Sequence, residues 1–397
     1  MRRRIPLAVL TTLWLSACVA HAQTPPASPS PSPAVAGLEQ AYERTRSAPV
    51  LLLLAQAYAD AGQLEQAANA VERLVAQRRG LLPPPHSPLW PAAERNDRLA
   101  RALATLERAA PRTRNGRTAR RLPREGVIPE AIEYHAATAE LLLGDAHGRR
   151  VIAVDHHGKR RTLVDKLAGT PFGIRLGPDD VLWIAQQANG TEPSALVRVE
   201  LGTGARVAYT HAQAKALNDI AIAPNGDVYV TDFGAGALFR LDRNAGRLDP
   251  VVAPGGLRSP NGVCVAADGK AVYVAQGVTP VAVDPASGAA TPLTHPPELD
   301  LLGIDGLYCR AGELLAIQNV TFAGRVLRLK LDGPHTVSAF EVLDANHPEF
   351  DLPTTGTFRG DTFLVLANSQ IYLLPGETAP RKPPSKRIVI LSYPLPR

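Results

Sequence analysis

The sequence predicts an all-β six-bladed β-propeller behind a small α-helical domain. Six copies of one hairpin pattern fill the second two-thirds of the 397-residue chain, starting with PEAIEYHAATAELLLGD at Pro129 and resuming at Pro171, Leu217, Pro260, Ile304 and Pro353. Their opening residues are Glu130, Phe172, Asn218, Asn261, Asp305 and Thr355, at steps of 42, 46, 43, 44 and 50 residues, which is the period of a propeller blade. Each copy reads as apolar alternation, a Pro/Asn/Gly turn and a second apolar run, as in DIAIA, PNGD and VYVTD. A second strand pair follows each copy, for example ALFRLD and RLDPVVA after the third, so four strands make a blade.

In chain order, residues 1–22 form a secretory signal, with three Arg, an apolar run and a small-residue end. Two processing readings stay open. LSAC resembles a bacterial lipobox that would leave Cys18 lipidated, whereas AHA before Gln23 resembles an ordinary cleavage site. Residues 23–35 are a Pro/Ser-rich linker. Residues 36–110 are helical in pattern. There Leu54, Ala55, Tyr58, Ala67, Val71 and Leu74, with Gly62 in the turn, resemble one tetratricopeptide repeat, and a further helix is predicted from about Pro91 to Ala110. A single repeat cannot bury its own face, so this segment is either a docking module for a protein partner or a helical cap. Residues 111–125 hold six Arg and two Pro without periodicity and read as an exposed linker. Residues 126–397 are the propeller.

The first strand of a blade lies beside the central channel, so the six openers point at the axis from one face. A hairpin returns to where it began, which puts the closing residues Asp145, Gln186, Asp232, Gln276, Asn319 and Asn368 at the same end. All six are polar, and they make this mouth a polar concavity. Each closing Asp or Asn is either a second layer around the openers or a bond to turn backbone. Four openers carry side-chain oxygen. Two carboxylates and two amide carbonyls form an all-oxygen, hard ligand set.

The segments PEAIEY, ALNDIAIAPNGDVYVTD, SPNGVCVAADGKAVYVAQ and LLGIDGLY resemble the senescence marker protein/gluconolactonase/paraoxonase group of propellers, over about residues 125–397. That resemblance implies a divalent ion held by Glu130, Asn218, Asn261 and Asp305, with Ca2+ first and Mg2+, Mn2+ or Zn2+ as alternatives. It also implies that Asp305 acts as both ligand and base. His347 is a second candidate base or an ordinary loop histidine, and His211 is a similar case. Asp232, Asn319 and Asp145 are candidate second-layer groups. Two positions depart from the family pattern. Phe172 stands where paraoxonase-like members carry His, which removes a His dyad, and Gly306 stands where some relatives carry a further Asn ligand.

The net charge is +6, but without the three signal Arg and six linker Arg the count is 34 cations against 37 acids, or about −3. With export, this excludes nucleic acid as a partner. Cys264 and Cys309 stand three and four residues after their openers. Odd and even offsets put them on opposite strand faces, so no disulfide is expected. No CxxC, GxSxG or phosphate-loop motif occurs. The leading expectation is an exported, metal-dependent lactonase or esterase acting on a small lactone or ester in the periplasm. Its membrane contact would be limited to a lipid on Cys18. The alternative is a non-catalytic NHL-type binding propeller.

Overall fold

The computed structural model describes residues 33–188, 192–321, 323–374 and 383–396. The signal segment, most of the Pro/Ser-rich linker and Cys18 lie outside them. The chain divides into two compact units, a helical one up to Pro111 and a propeller from Arg112, with residues 321–323 and 372–383 grouping with the first.

The helical unit holds α1 (Pro33–Thr45), α2 (Ala48–Asp60), α3 (Leu64–Gln77), α4 (Leu89–Ala93) and α5 (Asp97–Ala109). Pro49 stands in the first turn of α2, where its missing N–H costs nothing. Gly62 makes the turn into α3 with a φ of 71°. The helix expected over Pro91–Ala110 is two helices. The Asn96 side chain accepts the Leu99 amide at 2.8 Å and starts α5 afresh, because a capping Asn competes with helix continuation. Leu51, Leu52, Val71, Leu89, Leu99 and Leu103 form the core of this unit. Among the described residues no helix is long and apolar enough to cross a membrane.

The propeller has six antiparallel sheets. Their innermost strands are Pro129–His135, Thr170–Leu176, Leu217–Ile222, Val263–Val265, Ile304–Arg310 and Gly356–Arg359. Alternate residues of neighbouring sheets interlock, for instance Leu142, Val151, Ile174 and Ile184 between blades one and two. Blade four is the slightest, because all four of its strands are three residues long.

The segment read as a linker is instead part of the sheet. Arg117–Pro123 pairs with the C-terminal strand Arg387–Pro394 and completes blade six, while Thr113–Arg114 adds a fifth strand to blade five. An outermost strand meets solvent on most of its surface, so only Leu122 of this run is fully buried, and Arg-rich composition hides the pattern.

A second correction concerns the cysteines. Cys264 and Cys309 are joined by a disulfide between the innermost strands of blades four and five. Neighbouring blades meet through opposite faces of their strands. Cys264 looks from blade four towards blade five and Cys309 looks back, both packing with Leu307 and Leu314, whereas Tyr308 packs on the side of blade six. The opposite faces that the offsets predict are therefore what a bridge between adjacent blades needs.

Candidate metal centre at the propeller mouth

Bulges place the openers. The innermost strands of blades one, two, three and five are each bulged at the opener, between Pro129/Ala131, Pro171/Gly173, Leu217/Ile220 and Ile304/Leu307. The opener lies between the paired residues, out of the ladder, which frees its side chain to turn to the axis. Close approach of the blades dictates small residues next to it. Gly262 donates its amide to the Asp305 carbonyl at 2.7 Å, and a Cβ on Gly262 would stand 2.4 Å from that oxygen. Gly306 answers to the same constraint, since a Cβ there would meet the Thr354 carbonyl at 2.7 Å. Packing, rather than loss of a ligand, accounts for Gly306.

Around this ring Glu130, Asp305, Asn261 and Asn319 come together. Asn319 Nδ2 donates to Asp305 Oδ2 at 2.5 Å and to the Pro353 carbonyl at 3.0 Å. The Asn261 side chain also hydrogen-bonds Asp305. Ser369 Oγ donates to Glu130 Oε2 at 2.5 Å, and Thr354 adds a further bond to Glu130. Asn218 is buried at the equivalent bulge of blade three. Glu130 and Asp305 are each partly exposed as residues.

The electrostatics of this pair are unusual. Burial and the nearby Asp305 charge push Glu130 well above the carboxylate range. Burial likewise raises Asp305, to about 7, with the Asp219 charge adding to it and the Asn319 and Asn261 bonds opposing. Among the described residues neither carboxyl has an ion-pair partner. Two buried acids lacking a cation but ringed by amide and hydroxyl groups are suited to a hard divalent ion. No three His, Cys, Asp or Glu side chains converge at metal-ligand spacing among the described residues, so the donor set depends on the amide oxygens of Asn218 and Asn261.

The other candidates separate. Both oxygens of Asp232 are taken by backbone amides, of Ala216 and Ala235 at one and Lys215 at the other. Asp145 bonds the amides of Ile128 and Gly148 and the Arg150 guanidinium. Both are turn organisers and not a second layer around the ion, because a short Asp at a strand end meets the next loop's amides first. His347 does not join the mouth. Its Nδ1 accepts the Glu349 amide at 3.1 Å, and its charged neighbours are Asp344, Glu349, Arg114 and Arg121. Asp344 and Arg114 lie on the two outer strands of blade five and Arg121 on the outermost strand of blade six. At ~4.8 Å per strand, the strand of Asp344 is about 14 Å across the sheet from the strand of Asp305. His211 packs its ring 5.0 Å from that of Phe239.

Sequence reasoning missed a second polar layer in the channel. Arg175 from blade two meets Glu133 of blade one at 3.3 Å and Asp219 of blade three at 3.5 Å, and donates Nε to the Ile220 carbonyl at 3.1 Å. Its guanidinium carbon lies 5.5 Å from the Tyr308 ring of blade five. Tyr308 Oη bonds Thr355 and the Gly356 amide of blade six, and Asp219 accepts the Val263 amide of blade four at 3.2 Å. One buried cluster thus touches all six blades. Burial works against the Arg175 charge, yet Glu133, Asp219 and Tyr308 hold the guanidinium above its ordinary range. Spacing was the available signal: Glu133, Arg175 and Tyr308 each stand three residues after an opener.

The family model described as SMP-30/Gluconolactonase/LRE-like region matches residues 128–337, more than half of the chain. The chain belongs to this family. The SMP-30/gluconolactonase match spans blades one to four and the inner strands of blade five. Among solved structures, the PQQ-bound aldose sugar dehydrogenase of Streptomyces coelicolor is 15% identical, with a TM-score of 0.51 over 70% of this chain and 97% of its own. A gluconolactonase from Xanthomonas campestris is 18% identical, with a TM-score of 0.49 over 72% and 98%. The calcium-binding protein regucalcin from Agrobacterium tumefaciens is 16% identical, with a TM-score of 0.47 over 70% and 94%. Identities this low speak to fold alone. Comparison with curated proteins returned no match.

Proposed function

We propose that this chain is a divalent-cation-dependent hydrolase of a small lactone or ester. The observation that carries the reading is the buried Glu130 and Asp305 pair, which lacks a protein cation and lies at the open end of an SMP-30/gluconolactonase propeller. Glu130, Asn218, Asn261 and Asp305 would hold the ion, Ca2+ first, which supplies Lewis-acid polarisation of a carbonyl when bound. The chain's own groups do the rest. Asn319 and Asn261 fix the Asp305 carboxyl by two bonds, and Ser369 fixes Glu130. Asp305 is the candidate acceptor for the proton of the attacking water, the role that the family resemblance implies, and a bound cation would keep it ionised for that purpose. We assign no proton transfer to His347, which faces other partners.

The segment ending at Cys18 or at Ala22 supports export, and the Cys264–Cys309 disulfide fits an oxidising compartment. A lipid on Cys18 would tether the protein to the envelope. A non-catalytic propeller would leave the buried acid pair without a use. The test is hydrolysis of a panel of five- and six-membered lactones by the full chain, with Ca2+ or with chelator, beside Asp305→Ala. Turnover lost with both chelator and Asp305→Ala is the expected result. Turnover indifferent to both would overturn the assignment.

A further inference from the structure

The disulfide lies close to the candidate centre along the chain. Cys264 stands three residues after Asn261, and Cys309 stands four after Asp305, on the strand face that looks back at Cys264. These are the innermost strands of adjacent blades, and each carries one candidate ligand. At the ligand end the strands are held by the bond from the Gly262 amide to the Asp305 carbonyl, and Thr231 Oγ1 donates to the Asn261 carbonyl at 2.7 Å. At about 3.3 Å per residue, the S–S bond lies on the order of 10 Å further along. Blade four, with strands of three residues, has few ladder bonds of its own to resist sliding against blade five.

The structure assigns Cys264 and Cys309 a positioning role: their cross-link fixes the spacing between the Asn261 and Asp305 ligands, so cation affinity depends on the oxidation state of this pair. The inference rests on the reading of Asn261 and Asp305 as ligands. Cys309 lines a groove of about 760 Å3 between blades four and five, with Tyr273, Lys270, Arg310 and Leu314, and this groove is the side from which a small thiol would approach the bond. Reduction needs an external dithiol. That dithiol supplies two electrons and two protons, the S–S bond becomes two thiols, and the reagent leaves as its own disulfide.

The test uses the full chain. Ca2+ is titrated calorimetrically into the oxidised protein, the dithiothreitol-treated protein and the Cys264→Ser/Cys309→Ser variant, with opening of the bond verified by mass. Hydrogen exchange at the Gly262 amide is read in parallel and needs no metal. The expected result is a Kd about tenfold or more weaker once the bond is open, the scale of losing a group that orients metal ligands, together with faster exchange at Gly262. An unchanged Kd with the bond open overturns the positioning role, whatever the exchange shows. If the oxidised protein binds no Ca2+ while Gly262 exchange still accelerates on reduction, strand coupling stands and the ligand reading falls.

Discussion

The Arg175 guanidinium carbon lies 5.5 Å from the Tyr308 ring, which joins blade two to the blade facing it across the channel. The charge is fixed there by Glu133 and Asp219. The propeller is therefore pinned at its centre by one side chain as well as by its rim.

Replacing Arg175 by Met should destabilise the fold by about 3–5 kcal/mol, because Glu133 and Asp219 are left buried and uncompensated. Urea denaturation measures this. Adding Glu133→Gln should return part of the loss, and a double variant no more stable than Arg175→Met would contradict the pairing.

Glu130→Gln removes one of two crowded acids. In metal-free protein it should leave stability unchanged or raise it by about 1 kcal/mol at pH 8, where burial and Asp305 work against the Glu130 charge. The same variant should lose the rise in Tm that Ca2+ gives the parent protein. Thermal scans with and without Ca2+ check both halves.

The pH dependence has a definite sign. Asp305 titrates at about 7 in the fold against 3.8 unfolded, so between those values the native state binds more protons than the unfolded one. Stability of the metal-free protein should fall as pH rises from about 4 through 7, and Glu130 adds in the same direction. Saturating Ca2+ keeps both acids ionised and should flatten or reverse the trend, with Ca2+ binding releasing protons below pH 7. Tm measured from pH 5 to pH 8 in chelator and in Ca2+ tests this; a metal-free Tm that climbs across that range contradicts it.

Truncation gives a further test. A fragment beginning at Arg112 keeps both N-terminal strands and should be soluble and cooperative. One beginning at Gly126 loses Arg117–Pro123 and exposes the edge of Arg387–Pro394 along a strand with five buried residues, so it should aggregate. Light scattering after refolding decides between them.

The blade count and the acid pair were legible because a repeat prints itself as spacing, and openers as different as Glu130 and Asp305 hold the same place in it. Asn319 was legible as a closer, whereas Asp145 and Asp232 were closers of identical appearance that serve turns. Only the position of neighbouring amides separates the two cases. Packing between blades was the blind spot. The offsets put Cys264 and Cys309 on opposite strand faces, and opposite faces are what adjacent blades turn to one another, a relation that a linear pattern does not contain. Arg117–Pro123 was hidden for a different reason, since an outer strand with one buried Leu122 carries no alternation to read.

The closure of blade six has a consequence for biosynthesis. Ser392 donates to the Arg117 carbonyl across 275 residues, so one of the first strands synthesised waits for the C-terminal strand Arg387–Pro394. Loop closure over such a span is entropically slow, and until it happens the nascent propeller carries two open sheet edges. The ring cannot be finished blade by blade as it emerges. During that delay the unpaired edges are the segments that must be shielded from other chains.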